Sequence, residues 1–256
     1  MHSPPAATLA DWLAAQPFTL AMSSGFFGFF AHFGVVKALH EHGLRPARYC
    51  GSSAGALVAA CAAGGVGQEK MEATLMGLTR EHFWDPAPGW GLLAGNGFRQ
   101  LLSELLPVKD LALCKTPVAV SAWHGASCRT RILNQGDPIE AVYASCAVPL
   151  LFQPAVIGGH YFWDGGIADR HGLASTWPGE RILYHHLQSR SPWRRANSSA
   201  LQPPMRNNLL TLVIKDLPRS GPGKLAEGRL ALEKAYEATC SALSRSPGRG
   251  MVRVNG

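Results

Sequence analysis

The apolar positions fall into short runs separated by glycine-containing turns, and the runs alternate between two periodicities. Phe18–Met22 is a short apolar run that stops at Ser-Ser-Gly, which predicts a first strand. Ala31–His42 follows at helical spacing and is stopped by Gly43. Arg48–Cys50 predicts a strand running into Gly51, and Ala54–Ala63 predicts an alanine-rich helix stopped by Gly64-Gly65. Lys70–Leu78 and Phe98–Leu105 read as helices, with Trp84–Gly97 as the loop between them. Val118–Trp123 and Arg129–Leu133 read as strands. Ile139–Ala144 reads as a short helix started by Asp137-Pro138. Ala155–Ile157 and His160–Trp163 flank Gly158-Gly159, the signature of a tight hairpin. Arg181–Leu187 and Thr211–Ile214 are late strands, and Leu225–Leu243 is the longest helix. Strands alternating with helices predict an α/β fold with a largely parallel sheet covered on both sides.

One stretch competes with that reading. From Trp12 to Val36 there is no Asp, Glu, Lys or Arg, a run of 25 residues long enough to span a bilayer. Pro17 interrupts it, and Ser23, Ser24, Gly25, Gly28, His32 and Gly34 make its middle polar or turn-prone. No basic segment precedes it, as a secretory signal would require. A buried strand, a glycine turn and a buried helix are expected instead.

Composition narrows the class. The 256 residues are 46% hydrophobic and only 16% charged, which excludes a disordered chain. The 28 Gly and 18 Pro exclude a long coiled coil. The six cysteines form no CxxC pair, so neither a zinc site nor a disulfide framework is expected, and reduced buried thiols fit a cytoplasmic protein. Residues 1–166 carry 10 basic and 11 acidic side chains, and residues 167–256 carry 14 and 6, so the net charge of +7 sits in the C-terminal third. Such a region suits an anionic surface, lipid or nucleic acid, or simply a solvated face. Ser189–Met205, rich in Ser, Pro, Arg and Asn, is expected to be an exposed loop.

Three local patterns carry chemistry. Gly51-Ser-Ser-Ala-Gly55 is a GxSxG pattern between a strand and a helix. There the central Ser53 sits on a sharp turn, with small neighbours two residues either side, and presents its hydroxyl at a helix start. A serine hydroxyl needs a base. His124, His160, His171, His185 and His186 are the downstream histidines, and Asp164 in Trp163-Asp164-Gly165-Gly166 is the carboxylate alternative. Ser23-Ser24-Gly25-Phe26-Phe27-Gly28 follows the first strand, and its N–H groups can converge as an oxyanion hole. The competing reading, a dinucleotide loop, lacks an acidic residue about 20 positions on, and the two phenylalanines suit an acyl chain better.

In order and spacing these patterns resemble the patatin-like phospholipase family over residues 18–173. The resemblance rests on the glycine turn, on His32-Phe33-Gly34-Val35-Val36-Lys37-Ala38-Leu39, on Gly51, Ser53 and Gly55, on Ser145 to Pro149, and on Asp164-Gly165-Gly166. It implies a three-layer α/β/α fold with a mostly parallel sheet, in one catalytic domain over 18–256 behind an N-terminal extension, 1–17. It further implies a Ser–Asp dyad without histidine, Ser53 as nucleophile and Asp164 as base, with Gly25, Phe26 and Gly28 around the oxyanion and no metal or cofactor. The turn departs from the family pattern: read as GxGxxG, Ser23 stands where its first glycine is usual, whereas an alignment without a gap places Phe26 at a glycine position, and no Arg or Lys follows. The expected function is hydrolysis of lipid carboxyl esters, of phospholipase A or lysophospholipase type, by a cytoplasmic protein peripheral to an anionic membrane surface. No nucleic-acid partner is expected, and the oligomeric state is left open. A Ser–His–Asp esterase, with Asp164 and His185 or His186, is the rival enzyme; a silent lipid-binding protein is the rival of another class.

Overall fold

The computed structural model describes residues 8–188, 198, 201–248 and 250–256. Its helices are α1 (Leu9–Ala15), α2 (Phe29–Glu41), α3 (Ala54–Gly64), α4 (Gln68–Met76), α5 (Asn96–Leu105), α6 (Pro138–Cys146) and α7 (Leu225–Leu243). Its strands are β1 (Thr19–Met22), β2 (Arg48–Ser52), β3 (Gly91–Leu93), β4 (Val118–His124), β5 (Arg129–Leu133), β6 (Leu150–Phe152), β7 (Ala155–Ile157), β8 (His160–Asp164), β9 (Ile182–His186), β10 (Leu209–Lys215) and β11 (Met251–Asn255). Most of the predicted loop Ser189–Met205 lies outside the described residues.

The expected central sheet is present, mostly parallel and flanked by helices. Its order is β11-β10-β9-β1-β2-β4-β8-β7, with β5 on β4, and its parallel part runs from β11 to β4. Strands alternate their side chains between faces. Leu20 and Met22 of β1, Val118, Val120 and Ala122 of β4, and Leu210 and Leu212 of β10 join the large core shared with α2, α3, α6 and α7. Ala21, Cys50, Ala119, Ile182, Tyr184 and Leu209 face the other way into a smaller cluster capped by Leu173.

The uncharged N-terminal run resolves into β1, a turn and α2, as its polar interruptions predict. α2 is buried almost all round, from Phe29 to Leu39, because it packs against α7 and α3 and shares their core. Gly34 permits that: a Cβ there would sit 2.4 Å from the Leu232 carbonyl oxygen of α7. No helix among the described residues is long and apolar enough to cross a membrane.

The structure adds elements the pattern did not predict. Within the expected loop Trp84–Gly97, β3 pairs with β6 as a separate two-stranded sheet. β11 closes the far edge of the main sheet on β10. Within residues 1–17, α1 is held by a Thr8–Asp11 capping box and buries Leu9 and Leu13 in the main core. The six cysteines are all free thiols.

Candidate active site

Strand β4 acts as the template on which the two key side chains meet. β2 runs parallel to β4 and ends with Ser52 opposite Ser121. β8 runs antiparallel to β4 and ends with Asp164 opposite Ala122. Two strand ends therefore arrive at adjacent β4 residues from opposite directions, although they are far apart in sequence. Ser53 follows β2 directly, and its Oγ donates a 2.6 Å hydrogen bond to Asp164 Oδ2.

Ser53 has φ +53° and ψ −120°, a conformation L residues seldom adopt. The glycines of the GxSxG pattern answer a close approach rather than a need for flexibility. A Cβ on Gly51 would lie 2.4 Å from the Gly55 carbonyl carbon, and one on Gly55 would lie 2.3 Å from the Met22 carbonyl oxygen of β1. The turn is thus pressed against its own helix and the neighbouring strand. Its N–H is also fixed: Ser53 N donates to Ser145 Oγ at 2.8 Å, and Ser145 Oγ donates to the Ser121 carbonyl at 2.6 Å. Ser145 opens the Ser145–Pro149 segment singled out in the sequence, but no local signal gave it this task.

Asp164 is held as firmly. It is 7% exposed. Its N–H donates to the Ala147 carbonyl, and its Oδ1 accepts from Gly166 N at 2.7 Å, which leaves Oδ2 for Ser53. Gly165 begins the turn after it, packed on Ser121. Five residues on, Asp169 accepts from Ser121 Oγ at 2.5 Å and from the N–H groups of Leu173 and Ala174. Ser121 therefore binds the serine side through its carbonyl and the aspartate side through its hydroxyl.

The turn after β1 forms the third wall. Gly28 N–H is spent on the Gly25 carbonyl at 2.9 Å, so the expectation that Gly28 supplies an oxyanion donor does not fit the geometry. The N–H groups of Gly25, Phe26 and Phe27 donate to no protein acceptor among the described residues. The residue with positive φ is Phe27, at +54°, not Phe26. Phe27 is buried against Phe26, Phe29 and Phe83, with ring centroids 5.0 to 5.3 Å apart, and this packing holds its backbone there.

Ser53, Asp164, Ser24, Gly25, Phe26 and Gly28 line one cavity of about 1020 Å³. Its further walls are largely apolar, including Ala31, Val148, Leu151, Leu187, Ile214, Leu217 and Ala231. No histidine among the described residues lines it. His185 is fully buried elsewhere, where its Nδ1 meets His32 Nδ1 at 2.8 Å while His32 Nε2–H donates to the Ser23 carbonyl. Burial lowers His32 to about 4 and lowers His185 well below the free value, so both imidazoles are neutral near pH 7. His186 and His171 bind the Tyr184 hydroxyl from either side, and His124 binds Ser127.

Beside the cavity lies a shallower groove of about 570 Å³ that shares Pro149, Leu150 and Ile167 with it. Trp90 stacks over Tyr161 and Trp163 there, at 5.5 and 5.9 Å between centroids. Of the aromatic and leucine residues near the motifs, Phe26, Trp84, Trp90 and Leu92 are exposed, whereas Phe27, Phe29, Phe30, Phe33, Phe83 and Leu93 belong to the core.

A serine elbow and a buried aspartate brought together on one strand of a mostly parallel sheet define a patatin-like α/β protein. Residues 20–177 match the family described as patatin-like phospholipase, and the chain belongs to that family. Uncharacterised NTE family proteins of Mycobacterium bovis and Mycobacterium tuberculosis are 29% identical to it over 172 residues, covering 64% of this chain and 47% of each relative. The chain thus spans about half the length of the curated relatives it matches. VipD from Legionella pneumophila shares the fold, with a TM-score of 0.54 at 15% identity over 89% of this chain and 66% of VipD.

Proposed function

We propose that the chain is a serine acyl hydrolase that cleaves carboxyl esters of lipids, of phospholipase A or lysophospholipase type, through Ser53 and Asp164. One observation carries this reading: the 2.6 Å hydrogen bond from Ser53 Oγ to Asp164 Oδ2, in a cavity with apolar walls. Asp164 accepts the Ser53 proton as Oγ attacks the ester carbonyl. Negative charge gathers on the carbonyl oxygen, where the N–H groups of Gly25 and Phe26 receive it. Collapse breaks the ester C–O bond, and the proton passes from Asp164 to the departing alcohol. Water then gives a proton to Asp164 as its oxygen attacks the acyl carbon; the acyl C–Oγ bond breaks, and Asp164 returns that proton to Ser53 Oγ as the fatty acid leaves. The cycle uses no metal or cofactor. The absence of histidine among the described residues that line the cavity favours this route over a Ser–His–Asp triad.

The same reading extends to where the enzyme works. The exposed Trp90, Leu150, Tyr161 and Ile167 lie in the groove beside the cavity mouth, as residues that enter a lipid interface do. With the basic C-terminal third, they support a peripheral encounter with an anionic lipid surface.

The deciding experiment is hydrolysis of a lipid panel by the wild type, Ser53→Ala and Asp164→Asn. Both variants are expected to keep the circular dichroism of the wild type and to lose at least about 10³-fold in kcat. A folded Asp164→Asn enzyme with near-normal rates would remove Asp164 as the base. A wild type that hydrolyses no ester would leave the binding-protein reading in its place.

A further inference from the structure

The turn between β1 and α2 has to aim its N–H groups, and Phe27 explains only its far half. In a planar trans peptide the N–H of one residue points opposite to the carbonyl of the residue before it. The direction of Gly25 N–H is therefore set by whatever holds the Ser24 carbonyl.

That carbonyl is engaged by Arg170, whose Nη1 donates to Ser24 O at 3.3 Å and lies 3.5 Å from Ser24 Oγ. Arg170 Nη2 donates to the Leu187 carbonyl at 3.1 Å, which spaces the turn from the chain leaving β9. The Arg170 backbone takes part as well: Ser24 N–H donates to the Arg170 carbonyl at 2.7 Å. Ser24 is thus gripped at both of its peptide groups by one residue. Arg170 is 3% exposed and does not line the cavity, whereas Ser24 and Gly25 do. The guanidinium therefore pulls the Ser24 carbonyl to the buried side and leaves Gly25 N–H on the other. The preceding peptide has its own hold, since the Ser23 carbonyl accepts from His32 Nε2. The chain carries no charged residue between Trp12 and Val36, so the turn has no cation of its own.

We propose that Arg170 is the positioning residue of the oxyanion hole: its side chain pins the Ser24 carbonyl and so aims Gly25 N–H at the ester oxygen of a substrate on Ser53. This rests on the hydrolase reading above and deepens it. One segment then serves both halves of the site, with Asp164 reaching Ser53 and Arg170, six residues on, holding the opposite wall.

The test compares the wild type with Arg170→Gln and Arg170→Lys, using a soluble short-chain ester, a fluorophosphonate that labels Ser53, and a trifluoromethyl ketone that binds as a tetrahedral oxyanion adduct. In folded variants kcat is expected to fall about 10- to 100-fold with KM within about threefold, as for loss of aim at one oxyanion donor. Affinity for the ketone is expected to fall by the same factor as kcat/KM, a correlation that mere loosening of the fold does not produce. Arg170→Lys, which keeps the charge and one donor, is expected to recover part of the loss. A folded Arg170→Gln with kcat within about twofold of the wild type, or a ketone affinity that does not follow kcat/KM, overturns the proposal. Loss of folding in both variants overturns it too, since Arg170 then serves the fold alone. Labelling of wild-type Ser53 keeps the hydrolase reading whatever the variants do, so the two failures are read separately.

Discussion

Ser145→Ala removes a single hydroxyl and tests whether the serine elbow is held from behind. Ser145 is fully buried, and its Oγ both accepts from Ser53 N and donates to Ser121 O. The variant leaves one buried donor and one buried acceptor unmatched, at about 1–3 kcal/mol each. Partial relaxation brings the expected loss to about 3 kcal/mol, which for a domain of this size lowers Tm by about 6–12 °C. The kinetic effect has a separate origin. Ser53 sits at φ +53°, a conformation costing about 1–3 kcal/mol, and the Ser145 bond helps to retain it. Even partial release of the elbow moves Oγ off the Asp164 carboxylate, so kcat on a soluble ester is expected to fall about 10- to 100-fold. The assay pairs a thermal melt with initial rates across substrate concentration, so that kcat and KM separate. A variant with Tm within about 1 °C and kcat within about twofold of the wild type would refute the reasoning.

Two further outcomes follow from burial. His32 has its pKa lowered to about 4, against 6.5 in the unfolded chain, and His185 is lowered well below its free value by burial and by His32. The unfolded chain then binds protons that the folded one refuses, so stability is full above about pH 6.5 and falls as pH drops toward about 4. His32 alone accounts for about 3 kcal/mol; a Tm that stays flat from pH 7 to pH 4 would contradict a neutral buried pair. The double variant Trp90→Ala/Tyr161→Ala is expected to lose sedimentation with anionic vesicles while keeping its rate on a soluble ester. Equal vesicle binding by variant and wild type would move the lipid-facing surface elsewhere.

Much of the scaffold was legible because its signals are local. The Ser-Ser-Gly stop after Phe18–Met22, the GxSxG turn, the Asp137-Pro138 start and the Gly158-Gly159 hairpin all act within a few residues, and each element forms where its signal lies. Boundaries moved by a residue or two where strands end at the site: β2 extends to Ser52 and β8 to Asp164 because β4 pairs with both. β3, β6 and β11 left no legible trace. Two of them are three residues long, and all three are set by a distant partner rather than by their own pattern. The tasks of Ser121, Ser145, Asp169 and Arg170 were illegible for a related reason. Each is a polar residue in an ordinary local context whose partner lies 24 to 146 positions away. The departure in the glycine turn was visible, but its remedy was not, because the packing that holds Phe27 and the grip on Ser24 come from outside the turn.

The sheet order also separates the extent of the family match from the extent of what folds. The match stops at residue 177, yet β1 is flanked by β9, and α2 packs on α7 through Gly34. A fragment cut at that limit would strip one whole edge of backbone partners from the strand that leads into the glycine turn. It would also bare the apolar flank of α2 to water. The last third, though outside the matched stretch, is therefore the buttress against which the catalytic half is built.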